Sequence, residues 1–236
     1  MDDYGSLVYL DVQKTGSTYV NQFLAASCTL PQRSFRKHGR IEGGTYRPEA
    51  HYFITARHPV PSYVSLFRFG LAQRGGIRRR LMRSGHEDLY QRGINAWLEF
   101  ILDERNVNYL SAHERFDEVI HSGVGLMTFR FLALSIVDPM AILPSARSLA
   151  DLGRIYAERN IARRVIRNEE LNTGLATLAL EDVPQWFDAS AARAFLDTMA
   201  PINASIADRP GEIAPELLAE IQKREGLLID WFYPDE

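Results

Sequence analysis

Residues 7–18, LVYLDVQKTGST, constrain this chain more than any other stretch. Leu7-Val8-Tyr9-Leu10 is a short apolar run of strand-forming residues. Lys14-Thr15-Gly16-Ser17-Thr18 follows, and then an amphipathic run over residues 19–26 with Val20, Phe23 and Leu24 apolar. The order is strand, tight loop, helix. A loop in that place aims backbone N–H groups and the positive end of the helix dipole at one spot. Gly16 allows close backbone approach to a ligand, Lys14 adds a full charge, and Thr15, Ser17 and Thr18 add hydroxyls. The pattern is a phosphate cradle; an ordinary strand-to-helix turn that holds a lysine is the alternative on this loop alone. The nucleotide-triphosphatase loop, G-x-x-x-x-G-K-[ST], sets its lysine after the last glycine. Here Lys14 precedes Gly16, and the dinucleotide pattern G-x-G-x-x-G is absent.

A second stretch, residues 51–70, reads HYFITARHPVPSYVSLFRFG. His51 to Ala56 is a second buried-strand candidate, closed by Arg57. Pro59 and Pro61 mark a turn and a helix start, because proline is tolerated in a first turn. That helix carries Ser65. In an open parallel sheet, ligands bind beyond the carboxyl ends of the strands. Lys14 and Arg57 both stand at such ends and are expected to face one ligand.

The two motifs together resemble those of the sulfotransferases that use 3′-phosphoadenosine 5′-phosphosulfate (PAPS). KTGST closing a strand is similar to their 5′-phosphosulfate loop, and R-x-P-x-x-x-x-x-S after a second strand is similar to their 3′-phosphate motif. The resemblance implies an α/β fold of three layers around a central, mainly parallel sheet, a P-loop-like sulfotransferase fold. It implies transfer of a sulfonyl group from PAPS to a hydroxyl or amine, leaving adenosine 3′,5′-bisphosphate (PAP). Lys14 would stabilise the bridging oxygen as the S–O bond breaks. Residues 14–18 would hold the 5′-phosphate, and Arg57 with Ser65 the 3′-phosphate. No metal is expected, since Lys14 and the helix dipole do the charge work. In this family the segment after the second strand often supplies the general base. His38, the last residue of a weak strand candidate at residues 34–38, is the first choice and Glu42 the second; a solvated loop histidine beside Arg36 and Lys37 is the alternative. A glycine- and lysine-rich late segment typical of cytosolic small-molecule members is not visible, so the pattern looks closer to bacterial and carbohydrate-type members.

Length and composition narrow the class. The chain has 236 residues, 46% hydrophobic and 24% charged, which fits one globular α/β domain over residues 1–236. Net charge is −3, so nothing marks a nucleic-acid binder. The single cysteine, Cys28, rules out an internal disulfide, and the acidic start is unlike a signal peptide. No apolar run reaches the length of a membrane span. A cytoplasmic protein is expected.

The remaining segments are less specific. Eight arginines between Arg57 and Arg92 face only Glu87 and Asp88, and Gly75-Gly76 suggests a mobile segment. One reading is a flap over residues 74–83 that recruits an anionic acceptor, such as an acidic sugar or lipid; the other is a solvated charged face. Arg130 lies in the apolar run LMTFRFLALS and needs a partner or an anion. His51, at the far end of its strand, is expected to be structural. His113 and His121 lack partners at metal-ligand spacing. Ser148 and Asp151 resemble a capping box, Asp188 an N-cap, and Ile202-Asn203-Ala204-Ser205 a late Asn-x-Ser stretch of the same family. Residues 163–171, RRVIRNEEL, read as a strand leading into a helix. Two other readings stand beside the transferase: a small-molecule kinase of the related phosphate-loop class, which needs a Walker lysine and a Mg²⁺ carboxylate, and a non-catalytic nucleotide-binding protein.

Overall fold

The computed structural model describes residues 1–110, 115–198 and 212–235. In chain order its strands are β1 (Asp2–Asp3), β2 (Leu7–Leu10), β3 (Ser34–Phe35), β4 (His51–Ala56) and β5 (Ala162–Arg167). Its α-helices are α1 (Ser17–Ser27), α2 (Pro59–Leu71), α3 (Gly76–Arg83), α4 (Ile94–Leu102), α5 (Leu126–Ser135), α6 (Pro139–Ile142), α7 (Leu149–Arg159), α8 (Leu171–Thr177), α9 (Ala189–Thr198), α10 (Pro215–Arg224) and α11 (Gly226–Phe232). His113 and the Asn203 stretch lie outside the described residues.

The protein is α/β, and the described residues form two compact units. The first holds residues 1–57, 131–139 and 159–198; the second holds 58–110, 115–130, 140–158 and 212–235.

The first unit carries an open mixed sheet of order β3-β1-β2-β4-β5. β2, β4 and β5 are parallel, with Leu7 opposite His51, Leu10 opposite Ile54, and Ala56 opposite Arg167. This is the parallel part that the sequence leads one to expect. The antiparallel side is additional: β1 pairs antiparallel with β2 and β3. The three residues between β1 and β2 are too few for a crossover, so the two strands must run in opposite directions. Gly5 makes that turn at φ 82°, and its N–H donates to Asp3 Oδ1.

Every residue of β2 and β4 is buried, which is why both read as apolar runs rather than as alternating patterns. Leu7, Tyr9, Phe53 and Ile166 share a core with Val20, Phe23 and Leu24 of α1 and with Leu171 and Leu175 of α8. Tyr9 stacks on Phe53 at 4.9 Å between ring centroids. Asp188 caps α9 as its sequence suggests, accepting from the N–H groups of Ser190 and Ala191.

In the second unit α2, α4 and α10 pack together, with Tyr63, Phe67 and Trp97 buried. Residues 76–83, within the segment read as either a flap or a solvated charged face, form the helix α3. Arg80 donates to the carbonyls of Tyr109 and Leu110, and Arg78 lies 4.7 Å over the Tyr90 ring. These two arginines anchor a helix, whatever the charge of the segment suggests. Ser148 accepts from the Asp151 N–H at the start of α7, the capping expected there.

Candidate functional site

The carboxyl ends of β2 and β4 lie side by side because the two strands are parallel neighbours. Both expected motifs begin there. After Leu10 the chain leaves the sheet through Asp11 and Val12, turns at Lys14, and enters α1 at Ser17. Two residues of this loop have left-handed backbone: Lys14 at φ 69° and Gly16 at φ 89°. For lysine that conformation costs about 1–3 kcal/mol and persists only where the surroundings impose it. His38 is likewise left-handed, at φ 53°. No side chain caps α1 at Gly16 and no acidic residue occupies its first turn. The Tyr19 N–H donates to the Gly16 carbonyl at 2.9 Å, which leaves the N–H groups of Ser17 and Thr18 and their share of the helix dipole at the loop.

The structure divides the expected cradle residues into two sets. Lys14 and Ser17 are half-buried and Thr18 is exposed, so these three remain on the accessible side. Thr15 is corrected. It is buried, its hydroxyl donates to the Val12 carbonyl at 2.9 Å, and it meets Thr55 Oγ1 at 2.5 Å. Thr55 in turn bonds the Tyr9 hydroxyl at 2.9 Å. A buried hydroxyl in an apolar sheet needs such partners, so Thr15 ties the loop to the sheet and its hydroxyl does not face a ligand. Gly16 is held by its surroundings. A Cβ there would stand 2.6 Å from Leu171 Cδ1 and 2.7 Å from Asn168 Nδ2. Close packing against the start of α8, together with φ 89°, requires a glycine here.

Arg57 follows β4 directly and is half-buried. Its Nη1 makes a long hydrogen bond of 3.4 Å to the Lys14 carbonyl, which brings the second motif's arginine onto the first motif's loop. Ser65 lies on α2 in the second unit, so the site is built here from first-unit residues. His58 also belongs to the second unit, where its ring meets Tyr233 edge-on at 5.2 Å.

His38 reaches the same strand end from the other side. Its Nδ1 lies 2.8 Å from the Asp11 carbonyl oxygen and 3.4 Å from Asp11 Oδ2. A carbonyl only accepts, so Nδ1 carries the hydrogen and Nε2 holds the lone pair of the neutral ring. Burial pushes the His38 pKa below its usual value against the pull of Asp11, which keeps the ring neutral near pH 7. Glu42, the other base candidate, is exposed and belongs to a short 3₁₀ turn closed with Thr45. His51 is a buried strand-start residue whose ring meets Trp186 edge-on.

Asp11 is the residue that sequence reasoning missed. It directly follows the apolar run of residues 7–10 and has no motif of its own. In the fold it is 1% exposed, beside His38, and at the carboxyl end of β2. A lone carboxylate ending an otherwise apolar run is the only signal that marks it beforehand.

A cavity of about 550 Å³ opens at the β1–β3 side of the sheet, lined in part by Ser34, Arg36, Ile41, Thr45, Tyr46 and Arg47. Among the described residues no helix is long and apolar enough to cross a membrane, and no three His, Cys, Asp or Glu side chains cluster as metal ligands do. Comparison with family models, with characterised proteins and with solved structures returned no match.

Proposed function

We propose that the chain is a cytoplasmic sulfotransferase that moves a sulfonyl group from PAPS to a hydroxyl or amine. In this reading the first unit is a P-loop-like fold, with helix layers on its sheet and the donor at the carboxyl ends of β2 and β4. The observation that carries the reading is the meeting of Arg57 with the Lys14 loop across two parallel strands. It gives one anion site two different cations and an uncapped helix N-terminus.

Lys14, with the hydroxyls and N–H groups of Ser17 and Thr18 at the start of α1, holds the 5′-phosphosulfate. Arg57 holds the 3′-phosphate, which distinguishes PAPS from ATP. His38 Nε2 takes the proton of the acceptor hydroxyl. The acceptor oxygen forms the new O–S bond, the bond from sulfur to the bridging oxygen breaks, and its electron pair leaves on the 5′-phosphate of PAP. Lys14 balances the charge that grows on that oxygen. The acceptor is a polar or anionic molecule such as an acidic sugar, for which the cavity beside β3 offers Arg36, hydroxyls and the Tyr46 ring.

Calorimetric titration without metal tests the donor site. PAP should bind at micromolar strength or better, with AMP and ATP much weaker. Equal binding of PAP and AMP overturns the role of Arg57, and magnesium-dependent ATP turnover points to a kinase. Binding of PAP without transfer from PAPS to any of a broad acceptor panel leaves a nucleotide-binding protein.

A further inference from the structure

Asp11 is a charged group in a place that normally excludes one. It follows the fully buried strand β2 and is itself 1% exposed. Oδ1 is buried with no hydrogen-bond partner among the described residues, and Oδ2 has His38 Nδ1 at 3.4 Å. An unsatisfied buried polar atom costs about 1–3 kcal/mol, more when charged. Packing alone would be served better by an apolar residue of similar size.

The groups around His38 show what the carboxylate offsets. Burial, Lys37 and the amino group of Met1 all disfavour the protonated ring. Only Asp11 favours it, through its carboxylate and its carbonyl. A general base must accept a proton during the reaction, and here every other neighbour opposes that. The His38 side chain is 26% exposed, so an acceptor can approach the ring while Asp11 stays shielded behind it.

We propose that Asp11 is a positioning residue for His38: its carbonyl fixes the Nδ1–H tautomer and its carboxylate balances the charge that the ring gains when Nε2 takes a proton. The role of the pair in catalysis rests on the transferase reading; the pairing itself does not. The two form a His–Asp pair at the end of β2, next to the Lys14 loop.

The test is an NMR titration of the His38 ring in the full chain. In Asp11→Asn the backbone carbonyl still fixes the tautomer, but the compensating charge is gone. The His38 midpoint should fall by on the order of one pH unit, the scale for losing an opposite charge at this range. Asp11→Glu should recover part of that fall. A midpoint that does not move, or rises, overturns the pairing. The unmutated chain gives a second reading that needs no variant to fold: the Asp11 carboxyl carbon should shift through the same midpoint as the His38 ring, and an indifferent carboxyl signal overturns the proposal equally. Both readings hold whether or not the protein transfers sulfonyl groups. If it does, Asp11→Asn should also lower the transfer rate about tenfold or more with PAP affinity unchanged, an effect on base strength within the usual span of general-base catalysis. Unchanged transfer would remove Asp11 from the mechanism and leave the donor site standing.

Discussion

Two buried carboxylates, one in each unit, are treated in opposite ways. Glu225 in the second unit is fully buried and fully used. It accepts from the Tyr63 hydroxyl at 2.7 Å, from the N–H groups of Met127 and Thr128 at 3.0 and 2.7 Å, and from the Thr128 hydroxyl at 2.7 Å. It thereby caps the start of α5, where a Cβ on Gly125 would collide with it. Asp11 in the first unit is as deeply buried, yet one of its oxygens has no partner among the described residues and the other faces His38 Nδ1 at 3.4 Å. A carboxylate kept for stability has its acceptor capacity filled. One that leaves that capacity unfilled does so at a cost to the fold, which the proposed transfer would account for.

The largest effect expected is on rate in the first unit. Lys14→Ala should lower transfer from PAPS about 100- to 1,000-fold, as removal of one preorganised charge-stabilising group does. It should leave unfolding free energy nearly unchanged, since alanine relieves none of the left-handed backbone and keeps the carbonyl that Arg57 bonds. Steady-state kinetics beside urea unfolding measures both; a lysine that proved mainly structural would reverse the pattern. In the second unit, Glu225→Ala should cost about 3 kcal/mol of stability, because it strands several buried donors at once. Urea unfolding reads that directly, and a loss near zero would erase the contrast drawn between the two carboxylates.

A smaller effect is expected at Arg57. Arg57→Ala should weaken PAP by about 10- to 100-fold, the worth of charge-assisted hydrogen bonds to a phosphate, and AMP hardly at all. Calorimetry with the pair of nucleotides separates a 3′-phosphate contact from a general loss of positive charge. His38 sharpens the comparison through pH. Its folded-state pKa lies below that of the unfolded chain, which therefore binds the proton first as pH falls. The stability His38 contributes is complete above the unfolded-state value near 6.5 and is lost as pH falls through the folded-state value. His38→Gln should remove that part of the pH dependence of unfolding, and a profile identical to the parent's would count against it. The smallest change is expected for Asp11→Asn, within about 1 kcal/mol of the parent in stability, since it discards a buried charge and keeps the shape. A loss as large as that of Glu225→Ala would mean that Asp11 is a structural residue after all.

The strand-loop-helix order of both stretches was legible because it is local. Strand, loop and helix follow one another within about a dozen residues, and the punctuation by Gly16, Pro59 and Pro61 acts on neighbouring backbone alone. The strand in the segment at 163–171 was legible for the same reason, and it appears as β5 followed by α8. The direction in which a side chain points is not local. Thr15 and Thr18 are both loop-region threonines by sequence, yet one meets Thr55 forty residues away and the other is exposed. Gly16 also packs against Leu171 and Asn168, which arrive from more than 150 residues further along.

The order of apolar runs, turns and charges along the chain determined that β2 and β4 end in cationic loops. It also determined that α1 starts without an acidic first turn, because such patterns depend on spacing alone. Only the tertiary structure decided that the two loops meet, through the parallel pairing of β2 with β4, and that β1 and β3 extend the sheet in the opposite sense. It alone set Asp11 behind His38, since a pair separated by 27 residues is made by the path of the backbone between them and leaves no spacing that a sequence displays.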